Sequence, residues 1–559
     1  MRKKLFNLFA LLLMAVTGAW AEDMKKVPLT LEAKTDGTIV VSNPQIGMKY
    51  KKNNDDIVTA SSTATITINV KANDKVAFYG NGTSITSYYI HDAYNENDTQ
   101  ITGGTAECYI YGNIMSLVNE YEFDTATTLT GADAFNRLFS NNAKLYNHTT
   151  NDLLLPATTL TNYCYLGMFS GCTSLTTAPA LPATTLADNC YWDMFSGCSK
   201  LETAPELPAT TLTKSCYNSM FRNCTELTTA PELPATTLAD NCYEDMFNSC
   251  SNLNSVTCLA TNISASDATK GWLHGVAALG TFTKASTMTG WSESENGIPT
   301  GWTVADKVIL NDNTDIASQL TAGKLYTIEY TREFTADKPS TVCLPFAYAK
   351  KTGERFYTFD GIDKVGDEYV ATMTLYSGAN LVANTPYLYK SASTGATDFS
   401  GTYTLPASIA AGTTVSGDWT FVGTYTTQTW DVAPTGTYGF SAQNANDGIT
   451  QGEFVKVGAY VRVKPMRCYL KYKNGDEDYH SVRSFSGAPS TLSEPLPERI
   501  KVRFIDANGE VTGIGTLDTQ TGEVSFDSEA WYTLDGVRLA EKPTKQGIYI
   551  HNGKKVIVK

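Results

Sequence analysis

The chain has 559 residues, which at roughly 150 residues per domain predicts several folding units rather than one. Its formal net charge is -14, and only 18% of its residues are charged. Because a protein that grips a phosphate backbone needs concentrated Lys and Arg, this balance argues against nucleic acid as a partner.

The N-terminus has the pattern of a secretory signal peptide. Four basic-region residues precede an apolar run and the small-residue site Ala19-Trp20-Ala21, which stands before Glu22. The apolar run is too short to span a bilayer, and no later stretch approaches about 18 uninterrupted apolar residues. We therefore expect residues 1–21 to be removed, the chain to be exported, and no transmembrane helix to be present.

The next part of the chain alternates apolar and polar side chains. The alternation is clear from Thr65 to Val70, and it is the pattern of a strand that buries one face. Gly80-Asn81-Gly82 predicts a turn, because it lacks the third glycine and the following helix of a dinucleotide-binding loop. Residues 22–105 are predicted to form a small β-domain.

A repeat of 26 residues dominates the centre of the chain. Two cysteines, a Met-Phe pair and the run Leu-Pro-Ala-Thr-Thr-Leu recur with this period in four successive copies. A fixed period of this length is typical of repeat proteins, in which neighbouring copies bury each other's apolar faces. The recurring positions are Cys164, Cys190, Cys216 and Cys242; Cys172, Cys198, Cys224 and Cys250; Met168, Met194, Met220 and Met246; and runs that begin at Leu155, Leu181, Leu207 and Leu233.

Within one repeat, Cys190, Met194 and Cys198 lie at positions i, i+4 and i+8. This spacing predicts a short helix with one apolar stripe, which ends near Gly197 because glycine readily adopts the left-handed conformation. Leu201 to Ala204 is predicted to be a short strand. Residues 106–280 are therefore predicted to form a solenoid with degenerate caps, in which each repeat contributes a short strand and a short helix.

The segment Phe195-Ser196-Gly197-Cys198-Ser199-Lys200-Leu201 resembles the Phe-x-Gly-Cys-x-x-Leu core of the BspA-like leucine-rich repeats found in surface proteins of gut and oral anaerobic bacteria. The motif recurs in all four repeats, with Asn223 and Ser249 in place of the glycine in two of them. The resemblance implies a parallel-stranded leucine-rich repeat solenoid and a role in adhesion or host interaction, and it identifies no ligand.

The C-terminal half is richer in Tyr, Thr, Val and Gly, with short strand patterns that predict a β-sandwich. A Ser- and Pro-rich linker and a series of apolar runs separated by Asp-Gly and Asn-Gly turns follow it. The whole chain is thus predicted to be a mainly β, multidomain protein, with a cap or connector at 281–305, the β-sandwich at 306–485, the linker at 486–498, and a C-terminal β-hairpin module at 499–559 that is a candidate for sorting or anchoring.

Twelve cysteines in an exported chain are compatible with disulfides or a metal site. The regular spacing favours buried free thiols instead, because cysteines eight residues apart on a helix lie about 12 Å apart and cysteine commonly packs as a small apolar residue. Disulfides between repeats stay an alternative, as does a single bridge between Cys343 and Cys468.

No catalytic constellation is recognisable in the sequence. Five histidines are scattered over the predicted domains and none has zinc-protease spacing, so we expect each to be a surface or loop residue. The phosphate-binding loop and the Gly-x-Ser-x-Gly elbow are absent. We therefore expect no catalytic residues, no cofactor and no metal.

The sequence favours a non-enzymatic binding or adhesion protein of the cell surface, whose partner is a host or bacterial surface protein or a glycan. Repeats display a regular outer face whose side chains vary while the core is kept. A polysaccharide-active or glycan-binding accessory protein and a structural surface-layer component are the alternatives. The proposed binding ridge has one row of Thr176, Glu202, Thr228 and Asn254, and a second row that includes Glu206 and Glu232.

Overall fold

The computed structural model is mainly β, with several sheets and almost no helix. It divides into two compact units, residues 1–307 and 308–559. The predicted signal peptide and Glu22, residues 81–82 of the predicted turn and residues 486–495 of the predicted linker lie outside the described residues. The structure describes residues 24–80, 98–365, 368–441, 452–473 and 496–506, and the segments 511–513, 516–517, 524–525, 531–533, 538–539, 543–551 and 554–558.

The first unit begins with two small sheets and ends with three parallel strands. A short 3-10 helix, Ile114–Leu117, follows the eighth strand. The strands are β1 (Thr30–Ala33), β2 (Gly37–Ser42), β3 (Lys49–Lys52), β4 (Val58–Thr59), β5 (Ile66–Val70), β6 (Lys75–Tyr79), β7 (Gln100–Ile101), β8 (Cys108–Asn113), β9 (Leu145–Asn147), β10 (Leu153–Leu154), β11 (Ser255–Cys258), β12 (Thr281–Ala285) and β13 (Thr303–Ile309).

In the N-terminal part, β1 lies between β6 and β8 and is antiparallel to both. A second sheet places β2 between β5 and β7. The strand β5 covers most of the alternating run from Thr65 to Val70, with Ile68 and Val70 buried, so that prediction is confirmed. The strands β9 and β10 both pair with β8 in parallel, so the parallel pairing begins before the first full repeat.

The repeats continue this parallel pairing with single bridges rather than full strands. Thr177 pairs with Thr203, and Thr229 pairs with Ser255, each in the parallel sense. Full parallel strands return at β11, β12 and β13. The predicted strand from Leu201 to Ala204 is therefore reduced to one bridging residue per repeat.

The helix predicted in each repeat is wrong: residues 188–197 form consecutive turns. Asn189, Asp193 and Gly197 have φ angles of 58°, 55° and 75°, which are left-handed and incompatible with a continuing α-helix. The left-handed residues recur at every fourth position, so the side chains that follow them, four residues apart, still point into the core. The i, i+4 spacing therefore predicted the buried side chains correctly and the backbone conformation incorrectly.

The hydrogen bonds of this segment explain the difference. The N–H groups of residues 189, 191, 193, 195 and 197 donate to carbonyls of the next repeat, at distances of 2.7 to 3.0 Å. The N–H groups between them close local turns, as when Cys198 N donates to Phe195 O at 3.0 Å. Backbone groups that a helix would satisfy internally are thus satisfied by the neighbouring repeat.

Two columns of stacked aromatic rings form the centre of the repeats. One column consists of phenylalanines whose ring centroids are 5.5 to 5.8 Å apart, with interplanar angles of 3° to 9°; these are Phe139, Phe169, Phe195, Phe221 and Phe247. The other column consists of Phe135, Tyr165, Tyr191, Tyr217, Tyr243 and Trp272. One continuous hydrophobic cluster extends from Leu29 to Trp302, so the N-terminal sheets and the repeats share a core.

All twelve cysteines are buried and free, as the spacing had indicated. The thiol of Cys198 lies 3.1 Å from the carbonyl oxygen of Phe169 in the preceding repeat. Cys343 and Cys468 in the second unit are also unbridged.

The second unit contains a short 3-10 helix, Ile316–Ser318, and many strands. They are β14 (Leu325–Glu329), β15 (Thr331–Phe334), β16 (Pro339–Cys343), β17 (Arg355–Val365), β18 (Glu368–Leu375), β19 (Pro386–Lys390), β20 (Gly395–Asp398), β21 (Gly401–Thr404), β22 (Thr413–Ser416), β23 (Trp419–Thr424), β24 (Gln428–Thr429), β25 (Thr437–Phe440), β26 (Phe454–Lys456), β27 (Arg462–Val463), β28 (Arg467–Tyr472), β29 (Arg499–Ile505), β30 (Val511–Gly513), β31 (Thr516–Leu517), β32 (Val524–Ser525), β33 (Trp531–Thr533), β34 (Arg538–Leu539), β35 (Gly547–His551) and β36 (Lys554–Val558).

One large sheet organises this unit, in the order β16, β19, β17, β18, β29, β26, β25, β28, β23 and β22, with β30 beside β29. Strands β16 and β17 at one end contact β23 and β22 at the other, and the buried aromatic side chains lie between them. The strand β29, which belongs to the predicted C-terminal module, is parallel to β18 and antiparallel to β26.

Near the C-terminus, β33 pairs with β34 and β35 pairs with β36, both antiparallel. The predicted turns at Asp535-Gly536 and Asn552-Gly553 lie outside the described residues, but the strands on either side of each pair as hairpins. No helix in the described part of the chain has the length and apolar character needed to cross a membrane.

Candidate functional site

The first row of the predicted ridge lies on the surface and in register. Thr176, Glu202 and Asn254 are exposed and Thr228 is partly exposed. The N–H of Glu202 donates to Thr176 O at 2.9 Å, and the N–H of Asn254 donates to Thr228 O at 3.0 Å. Backbone hydrogen bonds thus join the row in two pairs, and the side chains that it exposes differ from repeat to repeat.

The row is two residues wide. The neighbouring positions Thr177, Thr203 and Thr229 are also exposed, and they carry the parallel bridges that join the repeats. The sequence analysis assigned only the first residue of each adjacent pair to the ridge. A strand of one residue has no alternation of exposed and buried positions, so the sequence did not indicate that the second residue is exposed as well.

The second row is exposed, but its members are not equivalent. Glu206 is exposed, and among the described residues its side chain forms no ion pair or hydrogen bond; the same holds for Glu202. Glu232 instead forms an ion pair with Lys307, with Oε2 and Nζ 2.5 Å apart. The uncompensated negative charge of the two rows therefore lies in one repeat, at Glu202 and Glu206.

Asn147 closes the N-terminal end of the ridge. Its Oδ1 accepts hydrogen bonds from the N–H groups of Thr176 and Thr177 at 2.9 and 3.1 Å, and its Nδ2 donates to Thr177 O at 2.8 Å. The side chain thus takes the place that the backbone of a preceding repeat would occupy. It holds the first full repeat in register with β9.

A cavity of about 370 Å³ lies beside Asn147, and Thr177 and Ala180 of the first repeat line it. His148, Asn151 and Asp152 supply its polar groups. Its volume falls within the range of roughly 300–1,000 Å³ that is usual for small-molecule sites. Thr177 is next to Thr176 of the first row, and Ala180 is the position of the first repeat that corresponds to Glu206 and Glu232. The cavity therefore adjoins both ridge rows at their N-terminal end.

His148 is held in place within this cavity. Its Nδ1 accepts hydrogen bonds from Thr150 N and Asn151 N at 3.1 and 3.0 Å, which assigns the ring proton to Nε2. Its ring packs edge-on against Tyr109 and Tyr111, with centroids 5.2 and 5.1 Å away. The sequence predicted a surface or loop histidine, and the tyrosines that position it come from β8, more than one repeat away in the chain.

A second surface that the sequence did not assign consists of paired threonines. Each Leu-Pro-Ala-Thr-Thr-Leu run exposes both of its threonines, and parallel bridges link Thr159 to Thr185 and Thr185 to Thr211. The sequence contained a signal for this surface: in each run, two adjacent threonines stand between an alanine and a leucine that are buried or largely buried. The exposed threonines are Thr158, Thr159, Thr184, Thr185, Thr210, Thr211, Thr236 and Thr237.

Cys198 and Asp193, two groups of the repeats with shifted pKa values, lie away from these exposed rows. Burial raises the pKa of Cys198 to about 12, so its thiol stays protonated at neutral pH. Burial also raises the pKa of Asp193 to about 6, against the lowering effect of Arg222 and Arg137. Asp193 lies at one of the left-handed turn positions, not in a ridge row.

Within the described residues, no group of three or more His, Cys, Asp or Glu side chains lies close enough together to hold a metal ion. His91 and His480 lie outside the described residues. No protein-family model matches the chain, and neither the curated proteins nor the solved structures contain a match.

Proposed function

We propose that this chain is an exported, non-catalytic binding protein of the cell surface, and that residues 106–280 form a leucine-rich repeat solenoid of the BspA-like kind. The exposed ridge of Thr176, Glu202, Thr228 and Asn254, together with Glu206, is its recognition surface. In this proposal the strands of 306–485 form a β-sandwich, and 499–559 serve in sorting or anchoring.

The observation that carries the proposal is the fixed register of the ridge. Backbone hydrogen bonds join Thr176 with Glu202 and Thr228 with Asn254, while the exposed side chains of the ridge change from Thr to Glu to Asn. A surface that is already ordered loses little conformational entropy when a ligand binds, which favours affinity. Core positions such as Cys198 and Phe195 repeat without this variation.

Charge and chemistry favour a neutral glycan or a basic protein surface over an acidic polymer. Glu202 and Glu206 repel negative charge, and no basic side chain in the described structure neutralises them. The cavity at His148 adds an amide, a carboxylate and an imidazole N–H beside two tyrosines, which suits the hydroxyl groups of a sugar. A neutral glycan is therefore the first ligand to test.

The test is to apply the full chain to glycan arrays and to arrays of host and bacterial surface proteins, with a panel of polysaccharide hydrolase substrates alongside. The proposal predicts reversible capture of a ligand without turnover. Hydrolysis of a substrate by the purified chain would contradict the non-catalytic part, and failure to capture any glycan or protein would contradict the binding part.

A further inference from the structure

The second unit contains a cavity of about 570 Å³ with a strongly basic lining. The cavity is large enough for a small organic ligand and is far larger than a single inorganic ion requires. Among the described residues that line it, five are cationic and none is acidic; the five are Arg332, Lys456, Arg462, Lys464 and Arg467. Of these, Lys456 forms an ion pair with Glu498, which lies outside the lining.

Arg332 lies at the floor of the cavity, and its guanidinium group pairs with no carboxylate among the described residues. Its Nη1 donates to Thr341 O at 2.8 Å and its Nη2 donates to Ser340 Oγ at 2.6 Å, both neutral acceptors. Burial, together with the neighbouring charge of Arg467, lowers the pKa of Arg332 to about 9. A positive charge in such a place is destabilising unless an anion compensates it.

Arg467 completes the floor. Its Nη2 pairs with Asp312, and its buried Nη1 lies near the hydroxyl group of Tyr330. Because Asp312 neutralises only one of the two guanidinium groups, the floor keeps a net positive charge.

The walls of the cavity are apolar, whereas two of its exposed lining residues are basic. Phe440, Val455, Val457 and Val463 make the walls apolar, while Arg462 and Lys464 add positive charge. Among the described residues, neither Arg462 nor Lys464 forms a side-chain ion pair. An apolar wall above a basic floor fits a ligand that is charged at one end only.

From this arrangement we propose that the cavity binds an organic carboxylate with an apolar body, whose carboxylate contacts Arg332 and Arg467 and whose body packs against Phe440 and the valines. Carboxylates suit guanidinium groups because both are planar and can form two parallel hydrogen bonds. This site is independent of the ridge, and it needs no contact between the two units.

The test uses calorimetric titration of the full chain with octanoate and with octanamide, which has the same body but no charge. Octanoate should bind with a Kd below about 1 mM, and octanamide should bind at least tenfold more weakly, as expected for loss of hydrogen bonds to a charged group. Equal affinities would overturn the proposal, as would the absence of octanoate binding. Inorganic phosphate that binds as tightly as octanoate would also overturn it, because the apolar walls would then contribute nothing.

Two substitutions with matched controls locate the site. Arg467→Met should weaken octanoate binding at least about tenfold, whereas Arg355→Met, at an exposed arginine paired with Asp337, should leave it unchanged. Val461→Glu changes an exposed side chain of the lining, so folding should be preserved while a negative charge is placed near the ligand.

The control for Val461→Glu is Val432→Glu, at an exposed valine that does not line the cavity. Weaker octanoate binding by Val461→Glu but not by Val432→Glu is the expected result. Unchanged affinity in both Val461→Glu and Arg467→Met would place the ligand elsewhere and overturn the assignment.

Discussion

The repeats and the second unit both bury aromatic rings, but they arrange them differently. In the repeats each ring stacks on its own copy, as Phe195 does on Phe221 with an interplanar angle of 6°. In the second unit the rings come from unrelated positions and often meet edge-on, as Phe421 and Phe454 do at 87°. A periodic sequence thus produces parallel columns, whereas a sequence without a period reaches a core through many different pairwise contacts.

The cysteines sharpen the comparison and give the largest expected effect. Ten buried thiols lie in the first unit and two in the second. Because burial raises the pKa of these thiols above the ordinary value of 9.0, as for Cys198, the unfolded chain loses thiol protons at lower pH than the folded chain does. The free energy of unfolding therefore keeps its full contribution from these thiols below about pH 9. It falls as the pH rises toward 12, by up to about 1.4 kcal/mol per pH unit for each thiol.

Hydrogen-exchange mass spectrometry at pH 8, 9 and 10, corrected for intrinsic rates, measures this effect in each unit. Protection of residues 106–280 should fall more steeply than protection of residues 308–506. Parallel losses in the two units would contradict the account, and the same comparison between pH 7 and 8 serves as the control, since thiols are protonated there in both states.

The second prediction concerns the stacked columns. Phe195→Ala should destabilise the first unit by about 3–5 kcal/mol, because it leaves a cavity in the middle of a column. Exchange protection should fall in the repeats on both sides of the substitution. The exposed Thr185→Ala serves as a control and should change stability by no more than about 0.5 kcal/mol. A loss confined to the substituted repeat would show that neighbouring copies do not support each other.

The third prediction tests the left-handed conformation at Gly197 by the sign of one substitution. Gly197 has φ 75°, and an added Cβ would meet Gly171 only at ordinary contact distances of 3.5 to 3.6 Å. Gly197→Ala should therefore destabilise by about 1–2 kcal/mol through backbone strain alone. At a glycine with an ordinary negative φ angle the same change would stabilise by about 0.4–1 kcal/mol.

Denaturant titration measures that sign, and Asn223 offers a matched position in the next repeat, with φ 60°. Asn223→Gly should be neutral or slightly stabilising, because glycine adopts this conformation at no steric cost. Stabilisation by Gly197→Ala would contradict a left-handed conformation at this position.

The 26-residue period of the sequence was enough to predict which side chains of the repeats are buried and which are exposed. The burial of Cys198, Met194 and Phe195 followed from their recurrence, and so did the exposure of Glu202. The backbone conformation did not follow, because the bonds that select it join different repeats. A stripe at every fourth residue is shared by a helix and by this series of turns, and a single repeat contains nothing that separates them.

The site shows the same limit. Glu206 and Glu232 occupy equivalent positions, yet only Glu232 pairs with Lys307, which lies 75 residues further along the chain. His148 gained its environment from Tyr109 and Tyr111 on a neighbouring strand. Contacts of this kind depend on which segments become neighbours in the fold, and local sequence patterns do not predict that.

The ridge is the central claim, and the most direct measurement is the affinity of the full chain for whichever ligand the arrays identify, compared between two double variants. Glu202→Lys with Glu206→Lys reverses both uncompensated charges of the ridge, and Glu293→Lys with Glu295→Lys makes the same change at exposed positions outside it. We predict that the ridge variant changes the Kd by about tenfold or more and that the control leaves it unchanged. Equal affinities of the two variants and the unmodified chain would contradict recognition by the ridge.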